Sequence, residues 1–101
     1  RTEKIRARVQ HARQTQEKRY GEAGLKTKTN AELSPKDLVT QIHLSDKVKD
    51  LLNKSAKHHD LSARAYHRVI KLARTIADLD KSEDITTDHI LESLQYRPKK
   101  Y

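Results

Sequence analysis

Several residue types are missing from this sequence of 101 residues, which has no cysteine, methionine or tryptophan and only two glycines and two prolines. The absence of cysteine excludes a disulfide framework, a cysteine-based zinc site and a cysteine nucleophile, and it agrees with a cytoplasmic location. Because the sequence begins with arginine and contains no methionine, we expect it to be part of a longer polypeptide.

Long apolar stretches and nucleotide-binding loops are also missing. No apolar run approaches the roughly 20 residues that a membrane-spanning helix needs, so we expect no membrane partner. The sequence shows no signal-peptide pattern. It has neither a G-x-x-x-x-G-K-[ST] phosphate loop nor a G-x-G-x-x-G motif, so we expect that these residues alone neither hold nor hydrolyse ATP.

The charge is strongly positive and unevenly distributed. The net charge is +8, with 36% charged and 34% hydrophobic residues, which is lean for a core but more apolar than a disordered tail. Residues 1–31 hold nine basic and three acidic residues, whereas residues 32–101 hold thirteen and eleven. The N-terminal part should therefore attract phosphate backbones, including those of DNA, or an acidic neighbouring subunit.

Helical periodicity runs through the sequence, and no segment alternates as a strand would. The pattern predicts an all-α fold, a small bundle of about five helices. Four parts are expected: a basic N-terminal helix or arm at residues 1–19, a connecting loop at 20–33, a helical bundle at 34–97 and a basic tail at 98–101. Within the bundle, predicted N-caps lie at Ser34, Ser45, Ser62 and Thr86.

The predicted helix from Ala63 to about Leu79 has the clearest pattern. At about 100° per residue, one broad face is apolar and consists of Ala65, Tyr66, Val69, Ile70, Leu72, Ala73, Ile76, Ala77 and Leu79. The opposite face holds Arg64, Arg68, Lys71, Thr75 and Asp78. So broad an apolar face is typical of the central helix of a bundle.

Arg64 and Arg68 are the candidate ligand-binding residues on the polar face of this helix. In the first turn, the helix dipole makes the cation of Arg64 unfavourable by about 0.3–1 kcal/mol, and Arg68 one turn later adds repulsion. An anion would offset both costs, and phosphate oxygens match free backbone N–H groups and guanidinium groups. The alternative is a solvated face whose arginines lie over apolar neighbours.

No other side chains form a convincing site in the sequence. The six histidines, at positions 11, 43, 58, 59, 67 and 89, lack ligand spacing, so no metal site is predicted. The carboxylates of Asp78, Asp80, Glu83 and Asp84 are interpreted as surface charges and turn residues, because nothing places two of them around a substrate.

The central helix also carries a family resemblance. Its run LSARAYHRVIKLARTIADL, at residues 61–79, resembles the C-terminal domain of magnesium-chelatase-like AAA+ proteins, the ComM/YifB group. Residues 5–20 are similar to the opening helix of that family, residues 30–33 to its next characteristic stretch and residues 94–97 to its ending. The resemblance therefore covers nearly the whole sequence.

This resemblance implies a fold and a role. The domain would be a lid packed over ATP and Mg²⁺ that are held by a separate α/β core of the same chain, in an ATPase that forms a homo-oligomeric ring such as a hexamer. The sensor 2 arginine of the family falls on the Ser-Ala-Arg motif, which here is Arg64, and Arg68 matches as a second nucleotide-binding or supporting residue. The run at residues 73–78 and the basic arm are similar to the ComM side of the group, which implies DNA remodelling rather than metal insertion into porphyrins.

Two other functions are compatible with the sequence. The helices predicted at residues 45–58 and 62–79 could imitate a helix-turn-helix in a free-standing basic DNA-binding module, although the second commits most of its apolar residues to a core. A structural oligomerisation domain, in which residues 1–19 dock on a neighbour, is the third possibility.

Residues 1–19 carry too little apolar surface to anchor the arm firmly. We therefore expect their amide protons to exchange much faster than those of residues 63–79, unless a partner chain covers the arm. Hydrogen exchange on dilute monomer tests this expectation. Equal protection of the two segments would instead place the arm inside the core.

Overall fold

A computed structural model describes residues 2–96, which form five α-helices and one short 3₁₀-helix and contain no strand within that range. The helices are α1 (Thr2–Glu22), α2 (Pro35–Gln41), α3 (Asp46–His58), α4 (Ala63–Leu79) and α5 (Thr87–Gln95), and the 3₁₀-helix spans Asn30–Glu32. The predicted all-α bundle is confirmed. The tail predicted at residues 98–101, and Arg97 before it, lie outside the described residues.

Local sequence signals determine where the helices start. The hydroxyls of Ser34, Ser45, Ser62 and Thr86 each accept a hydrogen bond from the backbone N–H three residues on, at 3.1 to 3.4 Å. Each bond satisfies one of the N–H groups that a helix N-terminus leaves without a partner, and is worth about 1 kcal/mol. The four predicted N-caps are confirmed.

Helix α4 lies at the centre of the bundle and contacts α1, α2, α5 and the 3₁₀-helix. The core consists of Tyr20, Leu33, Leu38, Ile42, Val48, Leu52, Val69, Ile70, Ala73, Ala77, Ile85 and Ile90. Full burial of one large aliphatic side chain stabilises the fold by about 1.5–3 kcal/mol. Within residues 2–96, none of the helices combines the length and the apolar character that crossing a bilayer would need.

Helix α1 contributes to this core only through its C-terminal half. It continues through Glu22, three residues beyond the predicted end of the arm, and the segment expected to be a loop therefore starts with helix and later contains the 3₁₀-helix. Tyr20 is completely buried, and Ala12 and Gln16 are buried one and two turns before it. By contrast, every residue from 2 to 11 is exposed. The helix is thus packed along its second half and exposed along its first.

Three of the helices are followed, two residues after their last residue, by a residue in the left-handed conformation. Gly24, Asp60 and Lys81 have φ angles of 77°, 51° and 58°. After each, the next N–H bonds back to a carbonyl five residues earlier, at 2.8 to 3.0 Å, and so satisfies the last turn of the helix. Glycine adopts this conformation without strain, whereas lysine does not.

Replacing Lys81 by glycine should therefore stabilise the domain. Glycine relieves the left-handed backbone strain, but it also raises the conformational entropy of the unfolded chain. The net increase in the free energy of unfolding should be about 0.5–1 kcal/mol. Chemical denaturation measures this free energy of unfolding. The matched control, Lys81→Ala, removes the same side chain but keeps the Cβ atom and should give no gain; equal stabilisation by both variants would rule out backbone strain as the cause.

Candidate functional site

The two candidate arginines lie on one exposed face at the N-terminal end of α4. Arg64 is in the first turn after the Ser62 cap, and Arg68 follows one turn later. Neither side chain makes a hydrogen bond or ion pair with any residue between 2 and 96. Helix geometry also leaves the N–H groups of Ala63 and Arg64 without a partner in the helix. This end of the helix therefore offers two guanidinium groups and two N–H groups, all suited to an anion.

The other polar residues of this face are engaged within the domain. The ammonium group of Lys71 donates to the carbonyl oxygen of Ala31 at 3.2 Å. The hydroxyl of Thr75 donates to the Lys71 carbonyl and accepts from the amide of Asn30, both at 3.0 Å. Of the five residues predicted to line the polar face, only Arg64 and Arg68 are left available for a ligand.

A groove of about 390 Å³ runs along α4 beside Arg68. Its lining is mostly apolar and consists of Ala31, Ala65, Arg68, Val69, Lys71, Leu72, Thr75, Ser93 and Tyr96. It exists because the apolar face of α4 is broader than the surrounding helices cover, so that Ala65 and Leu72 are only half-buried. Its volume falls within the range of about 300–1,000 Å³ that is usual for small-molecule sites.

Asp78, the fifth residue of the predicted polar face, is not a surface charge as expected. It is only 2% exposed, and it joins α4 to α1. Arg19 binds it with both terminal nitrogens, Nη2 to Oδ1 at 2.6 Å and Nη1 to Oδ2 at 3.1 Å. Arg74, one turn before Asp78 on α4, adds Nε to Oδ1 at 3.2 Å and donates its other nitrogens to the carbonyls of Ser82 and Glu83.

Asn30 completes this buried cluster. Its amide nitrogen donates to Oδ2 of Asp78 at 3.1 Å, its amide oxygen accepts the hydroxyl of Tyr20, and its backbone N–H donates to the side chain of Gln16 at 3.0 Å. Within residues 2–96, every buried polar side-chain atom has a hydrogen-bond partner. The fully buried atoms of the cluster are therefore satisfied within the domain, which is typical of a structural network.

The pKa shifts in the cluster follow from burial and from the shared carboxylate. Burial acts to lower the pKa of Arg19, but its hydrogen bonds and charge interactions with Asp78 and Tyr20 outweigh that effect and raise it. The pKa of Arg74 is lowered, chiefly by burial, and the charge of Arg19 adds to this against the opposing carboxylate. Burial raises the pKa of Tyr20. An arginine stays protonated in proteins, so one carboxylate serves two cations.

The sequence contains only part of the signal for this cluster. Arg74 and Asp78 stand four residues apart beside the core positions Ile70 and Ala77, so a helical ion pair at the edge of the core could have been inferred. The third charge, on Arg19, lies 59 residues from Asp78 in the sequence. No local spacing connects residues at that separation.

The histidines form no site of their own. His89 is buried, and its Nδ1 accepts from the backbone N–H of Thr86 at 3.0 Å, which assigns the ring proton to Nε2. Nε2 lies 3.1 Å from Oδ2 of Asp80. The part of the chain that the structure describes contains no group of three histidine, cysteine or acidic residues that could hold a metal ion.

Comparison with known proteins gives one family and several relatives. The family "Magnesium chelatase, subunit ChlI C-terminal" matches residues 1–97. Competence protein ComM of Haemophilus influenzae is 39% identical over 93 residues, which cover 92% of this chain and 17% of that protein. The uncharacterized protein YifB of Escherichia coli is 37% identical with the same coverage, and YifB of Salmonella typhimurium is 34% identical over 69% of this chain and 14% of its own length. No solved structure matches the chain.

Removing the charge of Asp78 should strongly destabilise the domain. Asp78→Asn keeps the shape but leaves two guanidinium groups without their counter-charge, and breaking a buried pair in this way costs about 3–5 kcal/mol. The control is Asp50→Asn, which breaks the exposed pair with Lys54 and should cost at most about 0.5 kcal/mol. Thermal and chemical denaturation compare the two variants. Similar losses would mean that the buried carboxylate does not hold the fold.

Proposed function

Since this chain belongs to the magnesium chelatase subunit ChlI C-terminal family, and spans 17% of the length of its ComM relative, we propose that it is the helical lid of a larger ATPase. In this proposal the lid closes over ATP and Mg²⁺ that are bound by an α/β core elsewhere in the parent polypeptide. Arg64 acts as the sensor 2 arginine and contacts the phosphates. The observation that carries the proposal is the exposed, unpartnered position of Arg64 within residues 2–96, at a capped helix N-terminus.

The physical argument concerns an unfavourable charge that a ligand would compensate. A cation in the first turn of α4 is disfavoured by the helix dipole, and no described carboxylate neutralises Arg64. A phosphate oxygen would accept from its guanidinium group and from the free N–H groups of the same turn. Charge that develops on the transferring phosphoryl group strengthens these interactions in the transition state, and this increases the rate of hydrolysis.

Arg68 has a supporting role in this proposal. It lies one turn from Arg64 on the same face and is likewise unpaired within the described chain. Its distance from the helix N-terminus gives it no free backbone N–H groups to act with. We therefore assign it the second nucleotide contact, with a smaller share in catalysis than Arg64.

The architecture suggests how nucleotide binding would be coupled to motion. Helix α4 has 17 residues and is about 25 Å long, with Arg64 at one end and Asp78 near the other. Because Asp78 is bound to Arg19, a displacement of the nucleotide end of α4 would be passed to α1. In a homo-oligomeric ring, this movement would be the mechanical output of the lid, with DNA remodelling in the cytoplasm as the task that the resemblance to ComM favours.

A free-standing DNA-binding module receives no support from the fold. Its reading helix would be α4, but Val69, Ile70, Ala73 and Ala77 are buried in the core. Of the polar residues on the face opposite the core, Lys71, Thr75 and Asp78 are bonded within the domain, which leaves Arg64 and Arg68 for phosphate contacts. Contacts of that kind would give weak binding without sequence preference.

The test of the proposed function is Arg64→Ala in the full-length parent protein. We expect the ATPase rate to fall by about 10²-fold or more, because one donor to transition-state charge is lost. Arg68→Ala should reduce the rate less. Steady-state ATP hydrolysis measures both. Denaturation should show no loss of stability in either variant, since neither side chain has a partner within residues 2–96 and the cation of Arg64 opposes the helix dipole.

Two further variants separate charge from geometry. Arg64→Lys keeps the charge but loses the bidentate guanidinium, so it should recover ATP binding better than turnover. Lys47→Ala removes an exposed cation two residues after the Ser45 cap of α3, the position that Arg64 has after Ser62, and should leave ATPase activity unchanged. Turnover of Arg64→Ala at the wild-type rate would refute the assignment of this residue.

A further inference from the structure

The N-terminal half of α1 presents an apolar stripe that nothing in the described structure covers. Ile5 and Val9 are 56% and 38% exposed. They lie on the side of the helix that, one to three turns later, buries Ala12, Gln16 and Tyr20 in the bundle. Single apolar side chains at a surface are ordinary, but these two continue an established packing surface beyond the edge of the bundle.

One side chain, that of Arg8, joins the N-terminal half of α1 to the bundle. Arg8 donates from Nη2 to the carbonyl oxygen of Leu79 at 3.5 Å and pairs with Oδ1 of Asp80 at 3.5 Å. Both acceptors belong to the C-terminal end of α4, so the helix is attached there as well as at Arg19. In the structure these contacts set the direction of the first half of α1 along the end of α4, and the stripe lies beside them.

The charges on both sides of the stripe indicate what would cover it. At helical spacing, Arg6 and Arg13 border the stripe on one side, and Arg8, which is already paired with Asp80, borders it on the other. A complementary surface has apolar side chains at its centre and carboxylates at its margins. A second copy of this helix does not meet that description, because pairing two stripes would bring the arginines of both helices together without carboxylates to neutralise them.

Nucleic acid also fits only in part. Phosphates would pair with the basic margins, yet they would leave Ile5 and Val9 without an apolar contact. A protein surface satisfies both features. The chain spans 17% of the length of its ComM relative, so in a protein of that length most of the polypeptide would lie outside these residues. We propose that the Ile5–Val9 stripe docks on an apolar surface with acidic margins in another part of the same polypeptide.

Such docking would make α1 a rigid connection between the lid and the part of the polypeptide that carries the docking surface. Val9 would be fixed to the rest of the polypeptide, and Arg19, about 15 Å further along the helix, to Asp78 of the lid. The inference does not depend on the role of Arg64, because it rests on burial and charge in α1 alone. The docking of α1 can therefore be refuted without refuting the nucleotide role of Arg64, and the role of Arg64 can be refuted without refuting the docking.

Site-specific photo-cross-linking in the full-length protein tests the proposal. A photoreactive phenylalanine replaces Val9 in one variant and Ala7 in the other; Ala7 is exposed on the opposite side of the same helix. The protein is assembled from a mixture of unlabelled and ¹⁵N-labelled subunits, with and without duplex DNA, and the cross-linked peptides are identified by mass spectrometry. We expect Val9 to cross-link within its own subunit, to a segment rich in apolar and acidic residues, and Ala7 to give little product.

A second set of variants tests the chemistry of the contact. Ile5→Asn and Arg6→Glu should each lower the yield of the Val9 cross-link, whereas Gln10→Asn on the outer side of α1 should not. Cross-links between differently labelled subunits would overturn the proposal in favour of a neighbouring copy, and cross-links to DNA would overturn it in favour of nucleic acid. Equal yields from Val9 and Ala7, or no product from either, would also overturn it.

Discussion

The position of α1 depends on one buried carboxylate. Asp78 neutralises two guanidinium groups, Arg74 on its own helix and Arg19 on α1. The side-chain amide of Asn30 donates a further hydrogen bond to Oδ2 of Asp78. Taking these charges out of water costs several kcal/mol per ion, and the cost is offset because both carboxylate oxygens accept two hydrogen bonds each within the cluster. Helix α1 is otherwise too polar to be held by hydrophobic burial, so this network, together with Tyr20, determines where it lies.

The sequence predicted what local chemistry controls. The helix starts at Ser34, Ser45, Ser62 and Thr86 could be located because an N-cap involves residues only three positions apart, and the period of α4 gave the width of its apolar face. Long-range packing was not predictable in the same way. Periodicity shows that a face is apolar but not which neighbour covers it, so neither the burial of Tyr20 nor that of Asp78 could be inferred from it.

The candidate site was predictable to a similar extent. The cap before Arg64 and the like charge of Arg68 identified both residues from the sequence, and the family resemblance supplied a role for them. The structure adds a distinction that spacing does not contain: Lys71 belongs to the same basic stripe, but it is bonded to the backbone at Ala31. The groove beside Arg68 also needed coordinates, because it is the part of the apolar face of α4 that α5 and the 3₁₀-helix leave uncovered.

The two attachments of α1 differ in how ionic strength acts on them. The contact of Arg8 with Asp80 joins two half-exposed side chains, and mobile ions screen such a pair over a Debye length of about 8 Å at physiological salt. The contact of Arg19 with Asp78 is shielded from the solvent on the carboxylate side, and ions have little access to it. Concentrated salt would therefore weaken the contact of the N-terminal half of α1 and leave that of the C-terminal half intact. The length of α1 that is held against the bundle then depends on the salt concentration.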